Sequence, residues 1–148
     1  MTTHIDFFEL KTPADLYEKL KRDLTALEES GQNTDIAFNF FVTAEHLPDW
    51  LNQRPLIKNN AILRIVSHIA NGAKHFHLKD KRHKSVVSNE KHRVFEEGVY
   101  EANVFYEPLL IKLSDAESRE LNIIEIDAVE LGQKVLEFWK HYIEKPNN

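Results

Sequence analysis

Arg64, His68, Asn71 and His75 fall on one line of a helix that is otherwise apolar, and no other pattern limits the fold of this chain as much. At about 100° per residue these four positions span an arc of only about 60°. Ile62, Ile65, Val66, Ile69, Ala73 and Phe76 take the opposite side. A helix apolar over so wide an arc has to sit centrally, with neighbours on most sides. A narrow line of polar groups in such a place must find partners or line a cavity.

The segments around it are helical too. Thr12-Pro13-Ala14-Asp15 combines a capping threonine, proline at the first helical position and a carboxylate in the first turn. Leu16, Leu20, Leu24 and Leu27 then repeat at helical spacing up to Gly31, which predicts a first helix over about 13–30. Ile5, Phe7, Phe8 and Leu10 read as a segment that packs on the body. A second helix runs from Thr34 or Asp35 toward Leu51; Phe38, Phe40, Phe41, Val42, Leu47 and Trp50 make it nearly as apolar as the third. Pro48 lacks the amide that would bond Ala44, so a kink or an early stop is expected there. The third helix covers about 60–77, capped by Asn59 or Asn60.

Beyond it the pattern changes. Residues 79–93 are basic without a period and read as a loop, whereas Val99–Tyr106 is β-branched and aromatic and reads as a strand. Leu109–Leu113 and Leu121–Ile126 are expected to pair as a hairpin across the polar turn Ser114–Glu120. Asp127-Ala128-Val129-Glu130 is an acidic capping box that opens a last helix over about 128–144, with Leu131, Val135, Phe138, Trp139 and Tyr142 inward. The expected fold is mainly α: one domain over 1–148, a four-helix bundle with a small antiparallel β-hairpin element at about 99–126 before the last helix.

Composition narrows the function classes. With 42% apolar and 29% charged residues in a chain of 148, an ordinary globular domain is expected. The absence of cysteine excludes disulfides and thiolate metal sites. No apolar run approaches the ~20 residues of a membrane span. Met1–Asp6 shows no basic-then-apolar leader, and Thr2 stands where myristoylation needs glycine, so a cytoplasmic location is expected. The net charge of −5 hides a basic island: residues 74–93 hold seven Lys/Arg against two Asp/Glu, with His75, His77, His83 and His92 besides. A local excess of positive charge in an acidic protein is a candidate anion-binding surface.

If helices two and three pack antiparallel across a short link, residues can be matched by counting outward from it. Asp49 and Trp50 then lie level with Arg64, His46 lies between Arg64 and His68, and Asn39 lies near Asn71 and His75. On helix two, Asn39, Thr43, His46 and Trp50 form a polar-tipped stripe of their own, with Asp49 at its edge. The expected candidate site is therefore Asn39, His46, Asp49, Trp50, Arg64, His68, Asn71, Lys74 and His75, with Asp49–Arg64 as an ion pair. Should the site be catalytic, His68, Arg64 and His46 are the candidates: a histidine can move a proton near neutral pH, and an arginine one turn away can stabilise developing negative charge. His68 and His75 stand about 10 Å apart along the axis, too far to share one ion. His46, Asp49 and His68 together could reach one, but no strong ligand spacing is present, and neither metal nor cofactor is expected. Phosphate-binding glycine loops and the hydrolase elbow are absent as well.

The runs Phe40-Phe41-Val42-Thr43-Ala44-Glu45-His46-Leu47-Pro48-Asp49-Trp50 and Ile69-Ala70-Asn71-Gly72-Ala73-Lys74-His75-Phe76 resemble a family of uncharacterised small bacterial helical proteins. The chain is more distantly similar to HEPN domains, helical bundles of bacterial toxin and defence systems, many of which are ribonucleases. That similarity implies a helical bundle. The ribonuclease motif itself is not met, because apolar Ile65 follows Arg64 and His68 lies one residue closer than the motif requires.

Two functions remain. The polar site binds an anionic ligand such as RNA, with the basic 74–93 segment recruiting it. Alternatively the stripe is a buried structural network and the chain is a non-enzymatic protein-interaction module. A homodimer is expected, since two such apolar helices leave large groups to cover.

Overall fold

The computed structural model describes residues 7–75, 86–91 and 109–144. Helix α1 (Pro13–Glu29) begins where its capping box predicts: Asp15 N donates to the Thr12 hydroxyl, and the Asp15 carboxylate accepts from the Thr12 amide. Helix α2 (Thr34–Trp50) is capped by the Asn33 side chain, which accepts from the amides of Asp35 and Ile36. It runs on through Pro48 rather than stopping early. The proline lies in the last turn and removes only its own bond to the Ala44 carbonyl, while the Leu51 amide still closes on the Leu47 carbonyl at 3.0 Å. A 3-10 helix, Arg54–Asn59, then leads to α3 (Ala61–His75), where the Asn60 side chain accepts from Leu63 N.

The β region departs from expectation in three ways. Residues 86–91, expected within a loop, form strand β1 (Val86–Lys91), which pairs antiparallel with β2 (Leu109–Leu113). The anticipated turn after β2 is a helix, α4 (Asp115–Leu121), because Ser114 caps it and Asn122 ends it in the left-handed region at φ 58°. The strand after it shortens to β3 (Glu125–Asp127), which still pairs antiparallel with β2. The sheet order is β1-β2-β3. Its inner side is set by alternation: Ile111, Leu113 and Ile126 are buried while Lys112 points out. Val99–Tyr106 and Phe76 lie outside the described residues.

Helix α5 (Ala128–Ile143) follows β3 directly, with Asp127 accepting from the amides of Val129 and Glu130. The fold is mainly helical, with four long helices among the described residues and a small antiparallel sheet before the last. Leu20, Leu27, Phe40, Leu47, Ile65, Leu131, Val135 and Trp139 form one core with no exposed surface. Gly132 lets α5 approach closely: a Cβ there would stand 3.0 Å from Leu24 Cδ1 and 3.2 Å from the Phe40 ring.

Three apolar expectations fail at the periphery. Phe7 and Phe8 are exposed, not packed, whereas Leu10 rests on the core; Ile5 lies outside the described residues. Ala73 is exposed near the end of α3. Tyr142 shares the inward side of α5 with Val135 and Trp139 but is exposed at the end of the helix.

Candidate functional site

Arg64 is the centre of the polar side of α3, and its partner is not Asp49. Its Nε and one terminal nitrogen donate to the two carboxylate oxygens of Glu117 at 2.9 and 2.8 Å, a bidentate pair. The same terminal nitrogen also donates to Glu120, and the other donates to the Lys58 carbonyl at 2.6 Å. The Glu117 side chain is only 6% exposed against 26% for Arg64, so the arginine carries a buried carboxylate on α4. Its bonds to Glu117 hold the guanidinium protonated more firmly than usual, with Glu120 adding to the effect and burial opposing it.

Asp49 instead faces the 3-10 helix. Arg54 donates to Asp49 at 3.4 Å and to Glu45 at 2.6 Å. Glu45 in turn accepts from the Ser67 hydroxyl at 3.2 Å, a polar contact between α2 and α3. Asn71 turns back along its own helix and donates to the Ser67 carbonyl at 2.7 Å. Placing Glu45 opposite Ser67 puts Asp49 level with Leu63 and Arg64, so the axial depth counted from the sequence is right. The rotation is not. Arg64 lies about 60° round α3 from Ser67, toward α4 rather than α2.

The polar stripe on α2 also misses α3. Asn39, His46 and Trp50 lie about 100–140° round α2 from Glu45, and all three are exposed. Thr43 faces α1 and accepts from Lys19 at 3.0 Å. His68 is half-buried on the polar side of α3 and engaged in interactions of its own. Lys74 and His75 lie in the last turn of α3; their side chains are outside the described residues. The two stripes read as one site therefore belong to different surroundings: Arg64 to α4, Ser67 and Asn71 to the α2 junction, and Asn39, His46 and Trp50 to solvent.

Glu45, Arg54, Ser67, Glu117 and Glu120 were absent from the sequence-predicted set. Ser114-Asp115-Ala116-Glu117 was a findable signal, since a serine followed by acidic residues is a helix start. Nothing local links Arg64 to a residue 53 positions away. Among the described residues no three His, Asp or Glu side chains gather as metal ligands would, and no helix is long and apolar enough to cross a membrane. An open depression of about 500 Å³ lies beside α4, where Lys112 and Arg119 are balanced by Asp115 and Glu125. No family model, curated protein or solved structure matches the chain.

Proposed function

We propose that this chain is a bacterial cytoplasmic, non-enzymatic protein-interaction module whose α3 polar residues are structural. One observation carries the reading: the Arg64 guanidinium is taken up by Glu117, Glu120 and the Lys58 carbonyl. A receptor for an anion needs a cation whose charge is still available, and here two carboxylates already surround the arginine. Reaching it would mean displacing Glu117, which is buried on a helix tied at both ends to the sheet. The likeness to HEPN domains enters as a likeness of helical arrangement, without their ribonuclease activity.

A second reading, binding of RNA or another anion, draws support from the basic composition of residues 74–93. It would rest on Lys74, His75 and that segment rather than on Arg64 and His68. The two readings separate in a titration of a labelled single-stranded RNA followed by fluorescence anisotropy, run beside thermal melts. For an interaction module, Arg64→Lys lowers the melting temperature, because lysine cannot make the forked contact, and leaves RNA affinity as it was. If wild type binds RNA more tightly than about 1 μM at physiological salt, beyond the usual non-specific range, and the pair Lys74→Ala and Lys79→Ala abolishes this without changing the melt, the anion reading replaces it.

A further inference from the structure

Three helix ends bring exposed aromatic residues to one end of the bundle. Helices α1 and α2 are antiparallel across a short turn, with Lys19 bonded to Thr43. Helices α1 and α5 are antiparallel too: Gly31 lies against Val129, and Gln133 donates to Glu28. The start of α1, the end of α2 and the end of α5 therefore meet. There stand Phe7 and Phe8, 63% and 81% exposed, with Trp50 and Tyr142, each 37% exposed. The other large apolar residues exposed among the described ones, Phe38 and Ile124, lie elsewhere.

The pair at the front is held out rather than left loose. Leu10 N donates to the Phe7 carbonyl at 2.8 Å and closes a tight turn, while the Leu10 side chain rests on the core. Phe8 sits in this turn at φ 53°, a left-handed conformation suited to glycine or asparagine and strained for a bulky residue. The Phe7 ring stacks edge-on against it at 4.9 Å. A strained backbone that fixes two rings in water is a preorganised anchor.

Charge selects the occupant. Glu9 and Lys11 flank the phenylalanines, Asp49 and Arg54 pair beside Trp50, and Lys140 and Glu144 flank Tyr142. Each cation has an anion close in sequence or space, so the patch has little net field to attract an acidic or basic partner. A second copy carries the same mix of both signs, so a two-fold pairing can set opposite charges against each other without a like-signed face on either side. At about 200 Å² per aromatic side chain, these exposures amount to roughly 400 Å² of aromatic surface per copy. A stable interface buries about 800 Å² per partner, so the rings supply its apolar centre and the charged residues its rim.

Resting on the interaction-module reading, we infer that the aromatic end of the bundle, Phe7, Phe8, Trp50 and Tyr142, is the surface on which two copies of this chain associate. The test is sedimentation of the full chain from about 1 to 200 μM, a range that brackets weak reversible pairing. Wild type should move toward twice its 17.3 kDa mass as concentration rises. Phe8→Asn and Phe7→Ser should each weaken association about tenfold or more, as loss of an anchoring aromatic does. Phe8→Asn should melt no lower than wild type at low concentration, since asparagine suits that backbone. Phe38→Ser, toward the other end of α2, should leave the dimer intact. A wild type that stays monomeric overturns the proposal, as does a dimer insensitive to both phenylalanine variants or broken by Phe38→Ser. The RNA titration and melts of Arg64→Lys do not read association through this surface, so failure here leaves the interaction-module reading to its own test.

Discussion

Replacing Arg64 with alanine should be among the most damaging single changes on the polar side of α3, and its cost can be worked from the contacts. The change takes from Glu117 both oxygens' bonds to the guanidinium, at 2.9 and 2.8 Å, and leaves a carboxylate only 6% exposed. Breaking a fully buried pair costs about 3–5 kcal/mol. Arg64 is 26% exposed, so water reaches part of the gap, and the expected loss falls to about 2–3 kcal/mol. For a chain of this size that is a drop of about 6–10 °C in melting temperature. Glu120 is 46% exposed, so Glu120→Ala should cost under about 1 kcal/mol although it bonds the same guanidinium. The double variant Arg64→Leu/Glu117→Leu should recover part of the loss, because the buried carboxylate that loses its guanidinium contacts is itself removed. Urea unfolding followed by circular dichroism measures all three. If Arg64→Ala lies within about 0.5 kcal/mol of wild type, a typical surface effect, or Glu120→Ala costs as much, Arg64 is not the support of α4 that its geometry implies.

Three other substitutions probe the frame. Gly132→Ala gains about 1 kcal/mol of helix propensity but drives a methyl to 3.0 Å from Leu24 and 3.2 Å from the unexposed Phe40 ring, so a net loss of about 1 kcal/mol or more is expected in urea unfolding. Asp127→Ala removes the acceptor for Val129 N and Glu130 N at the start of α5 and should cost about 1 kcal/mol; an unchanged melt would show the cap to be idle. Asp15 accepts from the Lys11 and Thr12 amides, and these bonds, Lys11 first, hold its carboxyl below the usual carboxylate range. A depressed folded-state value means that its stabilisation is present at neutral pH and is lost as pH falls through that value. Wild type and Asp15→Asn should therefore differ in melting temperature at pH 7 and converge below about pH 4; a difference that widens in acid would contradict the sign.

Much of the frame was legible because its signals act over a few residues. Thr12 with Asp15, and Asp127 with its following amides, mark helix starts through groups within three positions of one another. The leucines of α1 and the inward residues Leu131, Val135 and Trp139 of α5 follow from helical period alone. The β region was harder. Residues 86–91 carry polar and charged side chains and become a strand through pairing with β2, a neighbour about twenty residues away. The Ser114–Glu120 stretch is polar enough for a turn, and it contained a cap and a short helix as well. Phe7 and Phe8 looked like core residues on hydrophobicity, but the backbone turn between them and Leu10 points both rings outward.

By itself the sequence determined that the four long helices form, where each begins, most of the residues that face the core, and how deep the residues of α2 and α3 sit against each other. These are properties of single helices and of short links between them. The tertiary structure decided the rotation of each helix about its axis, and rotation decides partners. A turn of about 60° separates the side of α3 that meets Glu45 from the side that meets Glu117. Apolar packing of Ile62, Ile65 and Val66 against the core sets that angle, and the polar residues follow it. Arg64 consequently bonds a carboxylate 53 residues away on α4, while Asp49, level with it along the helix, bonds Arg54.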